Sequence, residues 1–84
     1  MNGGVSVVVE VRLYATLRRH APTSPAGVFP ALVPADYTVA ELLNSINIDS
    51  AEVHIIMING VISALHSTLH DGDRLGLFPA VGGG

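Results

Sequence analysis

The sequence predicts an α+β domain, a mixed sheet with one main helix on one face. Three observations predict it. From Val5 to Tyr14, residues rich in valine alternate with period two. A single stretch beginning at Thr38 joins a helix cap to helical apolar spacing. A nearly continuous apolar run, Val53 to Ile58, is followed by Asn59-Gly60 and a short return, the pattern of a tight hairpin.

In the first strand, Val5, Val7, Val9, Val11 and Leu13 share one face. Ser6, Val8, Glu10, Arg12 and Tyr14 share the other, so one face is expected to be buried. Ala15 to His20 reads as a short turn of helix or a loop. Pro22, Pro25, Pro30 and Pro34 crowd the next stretch. Its second part, Val28 to Val33, still looks like a strand. Proline lacks a ladder donor, so that strand belongs at a sheet edge.

Thr38-Val39-Ala40-Glu41 is a capping box. Val39, Leu42, Leu43 and Ile46 follow at helical spacing, which predicts a helix from about Val39 to Asn47 with that stripe on the sheet. Val53 to Ile58 reads as a strand covered on most of both faces. Asn59-Gly60 predicts a type I′ turn into Val61-Ile62-Ser63. His66 to His70 is an irregular crossing, Asp71-Gly72-Asp73 a turn, and Arg74 to Phe78 the last strand. The first and last strands are expected to pair at the sheet centre.

The 84 residues amount to one domain with a modest core. Nearly half are apolar, which favours a folded globule. No apolar run approaches membrane-spanning length, and Met1-Asn2-Gly3-Gly4 carries no secretory signature, so no membrane is expected and the cytoplasm is the expected location. Without cysteine there is no disulfide, thiolate metal site or cysteine nucleophile. Four arginines, no lysine and seven acids leave no basic stripe for nucleic acid.

The sequence closes on Leu77-Phe78-Pro79-Ala80-Val81-Gly82-Gly83-Gly84. Three glycines bury no side chain, yet they can lie in a channel too narrow for any other residue. The expected working atom is the α-carboxylate of Gly84. Ordering three such residues costs roughly 1–2 kcal/mol each. Pro79 restricts the chain nearby, and Phe78 and Leu77 are candidate anchors against a partner, worth about 1.5–3 kcal/mol each when buried. For Phe78, plain core packing is an equal reading.

Four segments carry a resemblance. They are Val11-Arg12-Leu13-Tyr14-Ala15-Thr16-Leu17-Arg18, Thr38-Val39-Ala40-Glu41-Leu42-Leu43, Ile58-Asn59-Gly60, and Asp71 through the closing glycines. Together they resemble the MoaD/ThiS sulfur-carrier family, the MoaD branch most of all, and the order of elements resembles the ubiquitin-like β-grasp. The ending departs from the usual MoaD-like one at Ala80, where a second proline is frequent, and at Gly82, where alanine is frequent. A somewhat floppier tail is expected.

The resemblance implies a single β-grasp domain over residues 1–84, with a flexible N-terminus at 1–4 and an extended functional tail at 79–84. It implies a sulfur carrier rather than an enzyme. A ubiquitin-activating-like adenylyltransferase would use ATP and magnesium to adenylate the Gly84 carboxylate, and a sulfur donor would convert the adenylate to a thiocarboxylate. Phe78, Pro79, Ala80, Val81, Gly82 and Gly83 would contact partners. The sulfur would pass to a molybdenum or tungsten cofactor precursor within a large molybdopterin-synthase-type subunit, or to the thiazole of thiamine in a ThiS-like carrier. No cofactor or metal is expected on the chain itself.

Other constellations are weaker. His66 and His70 would share a face if helical, but zinc would need His20 or His54 to converge on them, and ordinary surface histidines are the favoured reading. Asp71 and Asp73 are read as turn residues. Arg12, Arg18 and Arg19 form a small basic group, either solvated or facing an acidic partner. Two other functions need the same tail or none: a ubiquitin-like modifier joined through Gly84 to lysines of other proteins, and a plain binding module whose glycines are incidental.

Overall fold

The computed structural model describes residues 5–21 and 26–80. The elements are β1 (Ser6–Leu13), a 3-10 turn (Ala15–His20), β2 (Val28–Pro34), α1 (Val39–Ser45), a second 3-10 turn (Ser50–Glu52), β3 (Val53–Ile58), β4 (Val61–Ser63) and β5 (Arg74–Pro79). All five strands join one sheet in the order β2-β1-β5-β3-β4. β1 and β5 run parallel, with Glu10 beside Arg74 and Leu13 beside Leu77, and every other pair is antiparallel. The last strand therefore occupies the middle of the sheet, held on both sides, as the sequence predicts.

The alternation in β1 works as expected. Val7, Val9, Val11 and Leu13 are buried, and they meet Val39, Leu42 and Leu43 of α1, Phe29 and Val33 of β2, and Leu75 and Leu77 of β5 in one core. Val5 departs from the expectation: the strand starts at Ser6, and Val5, just outside it, is 71% exposed. β2 is an edge strand, as Pro30 and Pro34 predict, so their missing N–H groups leave no central ladder incomplete. Gly27, just before it, has φ +80°, and a Cβ there would sit 2.5 Å from the Leu13 carbonyl oxygen, so glycine lets the chain return close to the end of β1.

The capping box of α1 is complete. The Glu41 N–H donates to Thr38 Oγ1 (3.2 Å), and the Thr38 N–H donates to Glu41 Oε1 (2.9 Å). The helix ends at Ser45, two residues before the expected end. Asn47 adopts φ +61°, and its N–H donates to the Asn44 carbonyl while that of Ile48 donates to the Leu43 carbonyl. This is a Schellman stop with asparagine in glycine's usual place, sealed by Leu43 and Ile48, both buried. Asp49 then caps the short turn Ser50–Glu52, which the sequence reading passes over, by accepting from the Ala51 N–H (2.9 Å).

Asn59 (φ +52°) and Gly60 (φ +82°) form the expected two-residue turn between β3 and β4. β3 itself corrects the expectation. Only Ile56 is buried, and Ile55 is 39% exposed. The single helix covers one face of the sheet and nothing among the described residues covers the other, so the apolar run faces outward as well as inward.

Candidate functional site

The root of the tail is built from β5 and its two neighbours. Leu77 pairs with Leu13 and with Ile56, and Val53 pairs with Pro79. The Tyr14 N–H extends the ladder one step by donating to the Leu77 carbonyl (3.1 Å). Pro79, expected in the tail, is thus the last residue of β5, half-buried, and Ala80 is the first exposed residue beyond it. Val81, Gly82, Gly83 and Gly84 lie outside the described residues.

Leu77, one of the two candidate anchors, is fully buried among the core residues and presents nothing to a partner. Phe78 resolves the other way. Leu75 and Leu77 take the core face, so the pleat turns Phe78 to the open face, where it stays half-buried. Its ring stacks on Tyr14, with centroids 4.2 Å apart and planes 4° from parallel. Gly76 lies beside the pair, and a Cβ there would meet Tyr14 at 3.5 Å and Phe78 at 3.6 Å, ordinary contact distances, so the stack does not itself require glycine.

Immediately after Tyr14, Ala15 adopts φ +51°, an uncommon conformation for a residue with a Cβ. The turn swings Thr16 beside the tail root. Together with His54, Ile55, Phe78, Pro79 and Ala80, these residues line a mainly apolar cleft of about 340 Å³ at the point where the chain leaves the sheet. Of the residues in this cleft, the sequence predicts Phe78, Pro79 and Ala80 as partner contacts, whereas His54 enters only as a candidate metal ligand. The signal for Tyr14 and Ile55 was available: both are apolar-bodied residues out of phase with the buried set of their strands.

The start of β5 is fixed by polar side chains that the sequence reading treats as an ordinary turn. The Asp73 carboxylate, 12% exposed, accepts from the Asn59 amide (2.9 Å) and from the His70 N–H (2.8 Å). Asn59 in turn accepts from the Arg74 N–H (3.0 Å) and donates its own N–H to the Arg74 carbonyl (2.9 Å). Asp71 accepts from the Val8 N–H (2.8 Å). The turn before β5 is thereby fastened to both the β3–β4 hairpin and β1.

The three grouped arginines separate. Arg19 pairs with Glu52 and donates to the Thr16 carbonyl, while Arg12 lies on the open sheet face and pairs with Glu10, which raises its pKa above the ordinary arginine value. Arg18 shares a groove with Arg12 and Tyr14. His66 and His70 sit in a non-helical crossing, both exposed, and among the described residues no three histidine or acidic side chains converge as a metal site. Among the same residues, no helix is long and apolar enough to cross a membrane.

The model of the ThiS family matches residues 11–84, nearly the whole chain. The chain belongs to the ThiS family. Structures of similar proteins agree with this family fold. The Haloferax volcanii protein HVO 2177 is 26% identical with a TM-score of 0.76, over 100% of this chain and 92% of that one. A Pyrococcus furiosus protein described as a candidate molybdopterin converting factor, subunit 1, is 26% identical with a TM-score of 0.70, over 89% and 99%. SAMP1 of Haloferax volcanii is 26% identical with a TM-score of 0.69, over 92% and 99%. No curated protein sequence matches this ThiS-family chain. Its mixed five-stranded sheet and single main helix are the ubiquitin-like β-grasp.

Proposed function

We propose that the chain is a sulfur carrier whose Gly84 carboxylate is adenylated and then converted to a thiocarboxylate, with the sulfur destined for molybdopterin. The observation that carries this reading is the ThiS-family match, which runs through residue 84, joined to a β5 that lies inside the sheet and ends at Pro79, just before the closing glycines. The likeness to the Pyrococcus furiosus molybdopterin converting factor subunit supports the acceptor.

The chemistry explains why so little machinery is needed on this chain. A carboxylate is a poor acyl donor because oxide is a poor leaving group. Attack of a Gly84 carboxylate oxygen on the α-phosphate of ATP expels pyrophosphate and leaves an acyl-adenylate. Sulfide then attacks the carbonyl carbon, AMP departs, and a thiocarboxylate remains. The adenylating partner supplies magnesium and the phosphate clamp, and the acceptor's large subunit supplies the later catalysis. The chain contributes a thin tail, the Tyr14–Phe78 stack at its root, and a strand that holds both in place.

Removing Gly84, or changing Gly83 to Trp, is expected to abolish ATP–pyrophosphate exchange with the adenylating enzyme of the same organism while circular dichroism and thermal melts stay unchanged. Exchange by either variant at the wild-type rate would sink the tail mechanism. A second reading is favoured by the likeness to SAMP1, a small archaeal modifier protein: the activated Gly84 is joined to lysines of other proteins. The chain contains no lysine, so it would not chain onto its own side chains.

A further inference from the structure

The open face of the sheet carries a charge pattern opposite to that of the chain. Seven acids and four arginines give a net charge of −3, yet three of those arginines, Arg12, Arg18 and Arg74, line two adjoining depressions that share Arg12 and Tyr14. No acid lines either depression. Glu10, beside them on β1, is engaged with Arg12, while Arg74 has no ion pair among the described residues. Of the remaining acids, which line neither depression, Glu41 is in the first turn of α1, Asp36 and Asp49 lie in the segments before and after it, Glu52 pairs with Arg19, and Asp71 and Asp73 are hydrogen-bonded in the turn before β5.

The depression between Arg12 and Arg74, about 210 Å³, is also lined by Gly60, Gly76, Met57, Tyr14 and Phe78. A small hollow lined by Arg74 and by the N–H groups of Arg12 not given to Glu10 suits a carboxylate, which can accept paired N–H bonds from arginine. Few cations on a net-negative chain do not suit a polyphosphate backbone.

We propose that this hollow is a specificity site for an Asp or Glu side chain of the adenylating enzyme, seated between Arg12 and Arg74 and beside Gly76. It rests on the activation reading above. Gly76 is four residues before Ala80, so an enzyme that grips the tail reaches this face in the same encounter. The positive face also orients an acidic partner toward the tail end of the sheet.

The test is ATP–pyrophosphate exchange by the adenylating enzyme of the same organism, with the concentration of the full chain varied. Arg12→Gln and Arg74→Gln are each expected to raise KM for the chain about tenfold, the scale of one lost charge-assisted bond, with kcat much less affected. Arg74→Lys should recover part of the loss. Asn44→Asp, on α1, shifts the net charge by the same single unit and should leave KM unchanged. Wild-type KM should rise with salt, and less steeply in Arg74→Gln. Unchanged KM in both arginine variants, or an equal rise in Asn44→Asp, would overturn the specificity site and leave activation standing. No exchange with the wild-type chain would overturn the activation reading and this site with it.

Discussion

Asp73→Ala is expected to loosen the start of the central strand. Two hydrogen bonds to a carboxylate vanish, from the Asn59 amide at 2.9 Å and from the His70 N–H at 2.8 Å. Each bond to a charged group contributes roughly 1.5–3 kcal/mol when its surroundings are dry. Here Asn59 and His70 are themselves exposed, so water recovers part of both, and the expected loss is about 2 kcal/mol. Asp71, two residues away in the same turn, is exposed and accepts one bond, from the Val8 N–H. Asp71→Ala should therefore cost only about 0.5–1 kcal/mol. For a domain of this size, about 2 kcal/mol lowers Tm by roughly 8–16 °C. Urea melts of both variants read the difference directly, and the slope against urea should not change. Equal losses, or a loss in Asp73→Ala below about 0.5 kcal/mol, would show that the Asn59–Asp73 fastening does not hold β5 as described.

Other variants separate the helix from the tail root. Leu42→Ala, at a fully buried site, should cost about 2–5 kcal/mol in denaturant melts, and a negligible loss would contradict its place in the core. Thr38→Ala should cost on the order of 1 kcal/mol by removing the cap, and a Glu41→Ala change added to it should cost clearly less than it does alone, since the two residues serve one box. Phe78→Ala should lower stability by about 2 kcal/mol through the lost ring stack and half-buried area, but weaken binding to the adenylating enzyme more than about tenfold in a titration. A large loss of stability with unchanged binding would return Phe78 to the core.

Most of the fold was legible because its signals are local. Alternation in β1, the Thr38–Glu41 box and the Asn59-Gly60 turn each sit within a few residues of the structure they specify. Asn47 ended α1 early because asparagine also tolerates the left-handed conformation, a weaker mark than glycine. β3 is less buried than its sequence suggests for a different reason. A run such as Val53 to Ile58 looks the same whether both faces are packed or one is left for a partner, and only the number of covering layers decides. The Asn59–Asp73 fastening spans 14 residues and the Tyr14–Phe78 stack joins the end of β1 to β5, so neither is a local pattern. Strand phase carried one missed clue: with Leu75 and Leu77 inward, Phe78 had to face out, which decides between its two readings.

The central claim is that Gly84 carries sulfur. The most direct measurement is the intact mass of the chain after incubation with ATP, magnesium, the adenylating enzyme of the same organism and sulfide, followed by fragmentation. The account predicts a shift equal to one oxygen replaced by one sulfur, localised to Gly84. An unchanged mass, alongside lysine-linked adducts of the chain on other proteins, would contradict it and establish the modifier reading instead.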